Sequence, residues 1–279
     1  MRWSSDGRSR NVEDRRGRAA RIGVPLGLGG VLLIAALSFV TGENFFALLP
    51  QDNGQIMVGS GPADGPSTSS PEEERMVEFV SFVLDDAQGT WHELLPERYE
   101  DARLVLFRDA VESACGFAQS ASGPFYCPGD RRVYLDLSFF DELHDRFAAP
   151  GDFAQAYVIA HEIGHHVQNL LGIESQVRQL QRGDPARGNS LSVLMELQAD
   201  CFAGIWGYST AARDILERGD AEEALNAAGA IGDDRIQGRS SGRVQPETFT
   251  HGSSAQRVEW FRRGLSSGAI DSCDTFGQG

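Results

Sequence analysis

The stretch FAQAYVIAHEIGHHVQNLLG, residues 153–172, decides the fold of this 279-residue chain. Its first eight residues are apolar at nearly every position, which predicts a helix that is buried on all sides. The helix should end near Leu171, because Gly172 suits the left-handed conformation that commonly follows a helix. Burying the two histidines and the glutamate of residues 161–165 is unfavourable unless they have polar partners. The stretch therefore predicts a central helix with a polar site built into it.

Five residues of this helix, His161-Glu162-Ile163-Gly164-His165, form an H-E-x-x-H motif. Residues four apart lie one turn apart on the same helix face, so the two imidazoles can bind a single Zn²⁺ ion. Glu162 lies about 100° round the helix, where it can reach a water on the metal without being a ligand itself. A pair of hydrogen-bonded core histidines is the alternative. We expect the metal site, with one zinc ion per chain.

A second motif, Glu196-Leu197-Gln198-Ala199-Asp200, lies on the next long predicted helix. A catalytic zinc site usually has three protein ligands and one open position, so Glu196 is the expected third ligand. Asp200 lies one turn further on the same face, where its carboxylate can accept the N–H of His161 and fix the tautomer of that ligand. The metzincin alternative needs a histidine at position 171, where this chain has leucine.

The other segments predict helices around a small sheet. A helix should begin at Pro71 with Ser70 as its N-cap, because acidic residues follow in its first turn. Alternating or continuous apolar residues predict two short strands, at 102–107 and 132–137. Further helices are predicted at 141–147, 189–206 and 254–265. The expected fold class is therefore α+β, mostly helical with a small antiparallel sheet.

The N-terminal part of the chain predicts a membrane anchor. Residues 1–21 hold seven arginines and three acidic residues, although the whole chain has a net charge of −15. Residues 22–40 contain no charged side chain, and nineteen helical residues come close to the ~30 Å hydrocarbon core of a membrane. We therefore predict a cytoplasmic segment at 1–21, one transmembrane helix at 22–42 and an extracytoplasmic remainder. A cleaved signal peptide, whose apolar region is usually shorter, is the alternative.

The remaining composition predicts one folded domain after a linker. Residues 51–71 are rich in Gly, Ser, Pro and Asp, as is typical of a flexible linker, so we assign the linker to 43–71 and the domain to 72–279. The acidic charge argues against a nucleic-acid partner, because phosphate groups would be repelled. The expected partners are a peptide or protein substrate and, through residues 22–42, the membrane.

The chain has four cysteines and no C-x-x-C motif, so a second zinc site is not expected. Cys115 and Cys127 bracket a loop rich in Gly, Ser and Pro and are the natural local pair. Cys201 and Cys273 then pair by elimination. Two disulfides would agree with an oxidising compartment, whereas four free buried thiols are the alternative.

H-E-x-x-H followed by E-x-x-x-D resembles the gluzincins, of which thermolysin is the type. More closely, the chain resembles the bacterial putative neutral zinc metallopeptidase family. The resemblance is carried by residues 120–140 (SASGPFYCPGDRRVYLDLSFF), 161–172 (HEIGHHVQNLLG), 196–206 (ELQADCFAGIW), 249–261 (FTHGSSAQRVEWF) and 273–276 (CDTF). It implies a zincin-like metallopeptidase domain with zinc ligands His161, His165 and Glu196 and with Glu162 as the catalytic residue.

The predicted function is that of a membrane-anchored zinc peptidase. In this mechanism zinc activates a water, and Glu162 takes its proton and passes it to the leaving amine. By analogy with gluzincins, the strand at 132–137 would be the edge that pairs with an extended substrate. A catalytically inactive, membrane-tethered zinc-binding scaffold and an extracytoplasmic binding module are the alternatives. A purely structural zinc site has no use for Glu162 and usually has four protein ligands, which favours the enzyme.

Residues 250–258, THGSSAQRV, resemble the T-H-P-x-x-x-x-R-[IV] element of membrane gluzincins of the CAAX-protease and heat-shock type, with Gly252 in place of proline. The resemblance predicts His251 as the donor that stabilises the oxyanion. Arg257 is expected to pair with a buried acid and so to hold this loop. Tyr134 is the alternative donor, and His251 could instead be an ordinary surface residue. No ligand role is predicted for the remaining histidines, His92, His144 and His166.

Overall fold

A computed structural model describes residues 1–5, 7–17, 69–120 and 123–277, and these residues form eight α-helices and six β-strands. The helices are α1 (Pro71–Leu94), α2 (Ser138–Asp145), α3 (Asp152–Leu170), α4 (Ile173–Gly183), α5 (Gly188–Ala212), α6 (Asp220–Ala230), α7 (Asp233–Ser241) and α8 (Ser254–Ser267). The strands are β1 (Val12–Asp14), β2 (Arg103–Phe107), β3 (Ala110–Ser113), β4 (Gly116–Gln119), β5 (Phe125–Cys127) and β6 (Arg132–Asp136).

The main sheet has the strand order β1-β2-β6-β5. Strands β1, β2 and β6 run parallel, and only β5 is antiparallel to its neighbour, β6. A separate antiparallel hairpin is formed by β3 and β4. The predicted small antiparallel sheet is therefore wrong for the main sheet, and the fold is mixed. The physical reason lies in β2, whose residues 104–107 are all buried, as is typical of parallel strands covered on both faces.

The order of the strands also changes which strand could meet a substrate. Strand β6 has a hydrogen-bonded neighbour on each side, β2 and β5, so it is not an edge. The predicted edge strand at 132–137 is therefore wrong. Within the described residues, β5 lies at one end of the strand order and β1 at the other.

The N-terminal residues belong to the same compact unit as the rest of the described chain. Met1–Arg15 and the described residues from Ser69 onward form one compact unit. Strand β1 pairs with β2 in the register Val12↔Leu104, so a segment predicted to be cytoplasmic is hydrogen-bonded to the domain predicted to lie outside.

The predicted single-pass topology, with its N-terminus in the cytoplasm and its domain outside, is therefore wrong. No helix among the described residues is both long enough and apolar enough to cross a membrane, so the predicted transmembrane helix has no support either. The segment to which that helix was assigned, 22–42, lies outside the described residues, as does the predicted linker up to position 68.

Local sequence signals account for the ends of the helices around the site. Ser70 accepts a hydrogen bond from the Glu73 N–H (3.1 Å) at the start of α1. Ser253 begins α8 through a capping box with Gln256. Gly172 follows α3 with φ of 79°, the left-handed conformation that glycine adopts without a steric penalty.

Helix α3 lies in the core, and 14 of its 19 residues are buried. Helices α5 and α8 cross at small residues: a Cβ on Gly264 would collide with the carbonyl oxygen of Cys201, and one on Gly204 would collide with that of Phe261. Two disulfides, Cys115–Cys127 and Cys201–Cys273, are formed. The first ties the β3–β4 turn to β5, and the second ties the segment after α8 to α5.

Candidate metal centre

The site exists because α3 and α5 approach closely at one glycine. A Cβ added to Gly164 would lie 2.9 Å from the carbonyl oxygen of Ala199 and 3.1 Å from its Cα, closer than real Cβ atoms normally come. Gly164 separates the histidines of the H-E-x-x-H motif, and Ala199 lies between Glu196 and Asp200. The missing side chain therefore lets the two motifs, which are distant in sequence, face each other.

The three predicted ligands meet at this crossing. His161 Nε2 lies 3.2 Å from Glu196 Oε2, and His165 Nε2 lies 3.4 Å from Glu196 Oε1. One ligand atom from each of the three residues can be chosen so that all lie within 4.8 Å of one another. Ligand atoms of a tetrahedral zinc site with bonds of about 2.0–2.1 Å are separated by about 3.3 Å. The spacing and the chemistry of the donors, two imidazoles and one carboxylate, therefore fit zinc.

The electrostatics of the cluster also favour a cation. Burial lowers the pKa of His161, but the Asp200 and Glu196 carboxylates outweigh it and raise the pKa to about 10. The pKa of His165 is raised too, because Glu196 outweighs the effect of burial. Burial raises the pKa of Glu196, but the two histidines hold it well below its usual value. The carboxylates thus stabilise positive charge at this point, as protons on the imidazoles or as a metal ion.

Nδ1 of His161, the ring nitrogen that does not face Glu196, is held by a buried charged network. Its Nδ1 donates to Oδ1 of Asp200 (2.9 Å), and a carboxylate can only accept, so Nε2 is left to face Glu196. The same carboxylate accepts a hydrogen bond from the Tyr157 hydroxyl (2.5 Å) and two from Arg257 (2.8 and 2.9 Å). The acid with which Arg257 pairs is thus Asp200. Sequence reasoning missed Tyr157, although it lies one turn before His161 on the same helix.

Nδ1 of His165, the ring nitrogen that does not face Glu196, has a neutral partner that sequence reasoning also missed. Its Nδ1 lies 2.8 Å from Oε1 of Gln168, which is itself fully buried. The spacing of three residues could have revealed this partner, because residues i and i+3 lie on the same helix face.

Glu162 lies beside the three predicted ligands but outside the donor cluster. It lines, together with His161, His165 and Glu196, a cavity of about 530 Å³. Burial raises the pKa of Glu162 above its usual value, against the opposing effects of the two histidines and of a hydrogen bond from the Tyr126 backbone N–H on β5. A carboxylate with a raised pKa in a cleft is suited to accept and release a proton.

His251 lines the same cavity. Its side chain is about half exposed (52%), its Nδ1 lies 3.1 Å from Oδ1 of Asp233, and this hydrogen bond raises the pKa of His251. The other oxygen of Asp233 accepts the backbone N–H groups of Thr250, His251 and Gly252 at 2.8, 2.7 and 3.1 Å. Asp233 thereby fixes both the loop and the ring, and Nε2 of His251 is left for other contacts.

The departure from the T-H-P pattern has a structural reason. Gly252 has φ of +90°, which proline, with φ near −65°, cannot adopt. Proline would also lack the N–H that Gly252 donates to Asp233. The loop of this chain therefore has a backbone conformation that requires glycine.

The alternative donor, Tyr134, does not line the cavity. Its ring is buried and stacked on Phe125, and its hydroxyl donates to Asp130 (2.6 Å). His166 is buried, with Nδ1 at 3.0 Å from the Tyr126 hydroxyl and Nε2 at 2.7 Å from the Glu100 carbonyl oxygen, so it is a structural residue. His92 and His144 pair with nearby aspartates on the surface.

The cavity has two kinds of wall. Strand β5 and the residues before it form one side, with Gly123, Pro124, Phe125 and Tyr126. Helices α2 and α7 and the residues just after α2 and α6 supply apolar side chains, among them Phe139, Ile236, Phe147 and Ile231. Such a cleft, apolar with a few convergent polar groups, is typical of a ligand-binding site.

Comparison with known proteins identifies relatives along the whole chain. Residues 1–276 match the model of the family described as "Putative neutral zinc metallopeptidase". The chain is 48% identical, over an alignment of 291 positions, to "Uncharacterized protein YpfJ" of Escherichia coli (strain K12). The alignment covers 100% of this chain and 99% of that protein. The chain is 45% identical over 203 residues to "Uncharacterized protein Rv2575" of Mycobacterium tuberculosis, covering 69% and 68% respectively. No solved structure matches the chain significantly.

Proposed function

This chain belongs to the putative neutral zinc metallopeptidase family, and on that premise we propose that it is a zinc-dependent peptidase. The observation that carries the proposal is the arrangement at the crossing of α3 and α5. Three donor residues converge there, a number typical of catalytic zinc sites, and Glu162 lies beside them in an open cleft. One zinc ion per chain would be held by His161, His165 and Glu196. When bound, zinc acts as a Lewis acid, which lowers the pKa of a water molecule and polarises a carbonyl group.

Glu162 is proposed as the general base. Its carboxylate takes the proton of the attacking water and then transfers it to the nitrogen of the leaving amine. The raised pKa suits this exchange, because a carboxylate that is too acidic is a weak base.

His251 is proposed as the donor that stabilises the oxyanion. The Asp233 carboxylate accepts from Nδ1, so Nε2–H is available to a substrate oxygen in the cavity when the ring is protonated on both nitrogens. The raised pKa of His251 favours this protonated form. A donor that is already fixed by Asp233 need not reorganise when negative charge develops, which is the condition for effective electrostatic stabilisation.

The proposed substrate is a peptide or protein segment in extended conformation. Strand β5 lies at one end of the described sheet and also lines the cavity, so this edge of the sheet borders the space beside Glu162. An extended peptide can add to such an edge through main-chain hydrogen bonds, which hold the scissile bond next to the base.

The test combines metal analysis with proteolysis. The full chain should bind one zinc and cleave members of an unbiased peptide library. Replacing His161, His165 or Glu196 by alanine should remove most of the metal, because each supplies one of the three protein bonds. Glu162→Gln should keep the zinc and lose turnover, whereas Glu259→Gln, at an exposed position on α8, should change neither.

Two outcomes would contradict the proposal. Full peptidase activity of Glu162→Gln would exclude Glu162 as the base. A native chain that binds zinc stoichiometrically but cleaves no library member or folded protein would instead be a zinc-binding scaffold.

A further inference from the structure

Two buried glutamine side chains connect the proposed ligand His165 to the segment after α8. Gln168 is fully buried, and Gln198, on α5, is 5% exposed. Gln168 Oε1 lies 2.8 Å from His165 Nδ1, and Gln168 Nε2 donates to Gln198 Oε1 at 3.1 Å. Gln198 Nε2 in turn donates to the carbonyl oxygen of Cys273 at 2.9 Å. These hydrogen bonds form an uninterrupted amide relay, which comprises Gln168, Gln198 and the Cys273 carbonyl.

The chemistry of the relay fixes its direction. The Cys273 carbonyl can only accept, so Gln198 must present its NH₂ group to it and its oxygen to Gln168. Gln168 must then present its NH₂ group to Gln198 and its oxygen to His165. The backbone carbonyl of Met195, 2.7 Å from Gln168 Nε2, imposes the same orientation independently. Because Gln168 Oε1 can only accept, the proton of neutral His165 must lie on Nδ1, which leaves the Nε2 lone pair facing Glu196.

The end of the relay is fixed covalently. Cys273 is bonded to Cys201, which lies three residues after Gln198 on α5. The hydroxyl of Thr275 donates to the carbonyl oxygen of Leu194 (2.8 Å), so the segment 272–276 is attached to α5 at two further points, Leu194 and Gln198. The carbonyl that orients Gln198 thus has little freedom to move away from α5.

We propose that Gln168 and Gln198 are positioning residues for the metal centre, which select the His165 tautomer that presents Nε2 to the ion, and that the Cys201–Cys273 bridge holds the relay in place. The inference rests on the proposed zinc site. It assigns different outer partners to the two histidines: an aspartate with its arginine holds His161, and a neutral amide relay holds His165. Outer partners of this kind typically contribute about 10- to 100-fold to metal affinity.

The test measures the zinc dissociation constant of the full chain by competition with a chelator. Gln168→Leu removes the acceptor, so both tautomers of His165 become accessible and zinc binding should weaken by about 10- to 100-fold. Gln198→Leu leaves Gln168 held by Met195 alone and should weaken zinc binding less. Gln155→Leu, on the same helix and with no role in the relay, should leave the dissociation constant unchanged.

A conservative variant separates positioning from mere structural support. Gln168→Glu keeps an acceptor for His165 Nδ1 but loses both donated hydrogen bonds, so it should destabilise the fold as Gln168→Leu does. Its zinc affinity should nevertheless stay close to that of the native chain. Equal losses of zinc affinity in the two variants would overturn the positioning role, as would a Gln168→Leu chain that binds zinc as tightly as the native protein.

The disulfide has its own matched pair of variants. Cys201→Ala with Cys273→Ala should weaken zinc binding, whereas Cys115→Ala with Cys127→Ala should not, because the latter bridge does not touch the relay. Equal zinc affinities in the two double variants would remove the bridge from the inference. All these readouts are metal affinities, so a native chain that binds zinc but cleaves no peptide would refute the proposed function and leave this inference standing.

Discussion

Arg257 donates two hydrogen bonds to the carboxylate of Asp200, from Nε to Oδ2 at 2.8 Å and from Nη2 to Oδ1 at 2.9 Å, and both side chains are almost wholly excluded from solvent. The arginine comes from α8 and the aspartate from α5. Asp200 in turn holds His161 on α3. This single ion pair therefore connects three helices and reaches the proposed zinc ligand.

Removing the arginine should destabilise the fold strongly. Arg257→Met would break the buried ion pair and leave the Asp200 carboxylate with hydrogen bonds from His161 and Tyr157 alone, and breaking such a pair typically costs about 3–5 kcal/mol. The free energy of unfolding, from urea denaturation of the native and variant chains, measures the loss. Arg262→Met, at an exposed position on the same helix, should change it by less than about 0.5 kcal/mol. A loss as small for Arg257→Met would show that His161 and Tyr157 are sufficient to stabilise the Asp200 carboxylate.

The crossing of α3 and α5 should not tolerate a methyl group. In Gly164→Ala the new Cβ would meet the Ala199 backbone at 2.9 Å, so the helices must separate and the proposed ligands on α3 must move away from Glu196. We expect zinc affinity to fall by at least tenfold and stability to fall by about 1–3 kcal/mol. Gly89→Ala is the matched control, because nothing lies within 4 Å of its Cβ position in α1. That variant should be neutral or stabilising by up to about 1 kcal/mol.

Zinc affinity should rise with pH. In the metal-free chain the pKa of His161 is raised to about 10 and that of His165 is also raised, so imidazolium must lose protons before zinc can bind. Lowering the pH therefore weakens binding, by about tenfold per pH unit for each proton released. Chelator competition between pH 6 and pH 8 gives the slope, which His251→Ala should leave unaltered. An affinity independent of pH would contradict the protonated histidines.

His251 should matter for turnover and not for metal binding. We expect His251→Ala to reduce kcat by about 100-fold while KM and zinc content remain near those of the native chain. His144→Ala, which removes an exposed histidine paired with Asp145, is the control and should leave kcat, KM and zinc content unchanged. Steady-state kinetics on a cleaved library peptide decides the matter. An unchanged kcat would return His251 to the status of a surface residue.

The loop after α7 should require glycine at position 252. Gly252→Ala keeps the N–H to Asp233 but places a side chain at φ of +90°, which we expect to cost about 1–2 kcal/mol. Gly252→Pro cannot adopt that φ and also loses the hydrogen bond, so it should cost about 3 kcal/mol or more. Urea denaturation of both variants measures the difference. A proline variant as stable as the alanine variant would mean that the loop accepts the T-H-P conformation.

Short-range patterns predicted much of the site because helical periodicity is local. The spacing of four between His161 and His165, and between Glu196 and Asp200, sets each pair on one helix face whatever surrounds it. The sequence could not show which atoms meet across the crossing. Gln168 gave no signal beyond its spacing, because an amide becomes informative only when its acceptors, such as the Met195 carbonyl, are known.

The same local reasoning failed to predict how strands from distant parts of the chain pair. The arginine-rich start of the chain was predicted to face another compartment, but its β1 strand pairs with β2, about ninety residues away. A strand of three residues is too short to show a recognisable apolar pattern. Its backbone hydrogen bonds are made by the main chain and do not depend on the identity of the side chains. The parallel order of β1, β2 and β6 was missed for the same reason, since register and direction depend on partners elsewhere in the chain.

The sequence by itself determined the identity and spacing of the proposed ligand side chains, the central buried helix and the caps at its neighbours, because these depend on residues within one or two turns. The tertiary structure alone decided that Gly164 brings two helices close enough for three donors to converge, that Asp200 is held by Arg257, and that β5 is the edge beside Glu162. Those facts depend on contacts between segments far apart in sequence, where close packing selects one arrangement and local propensity cannot.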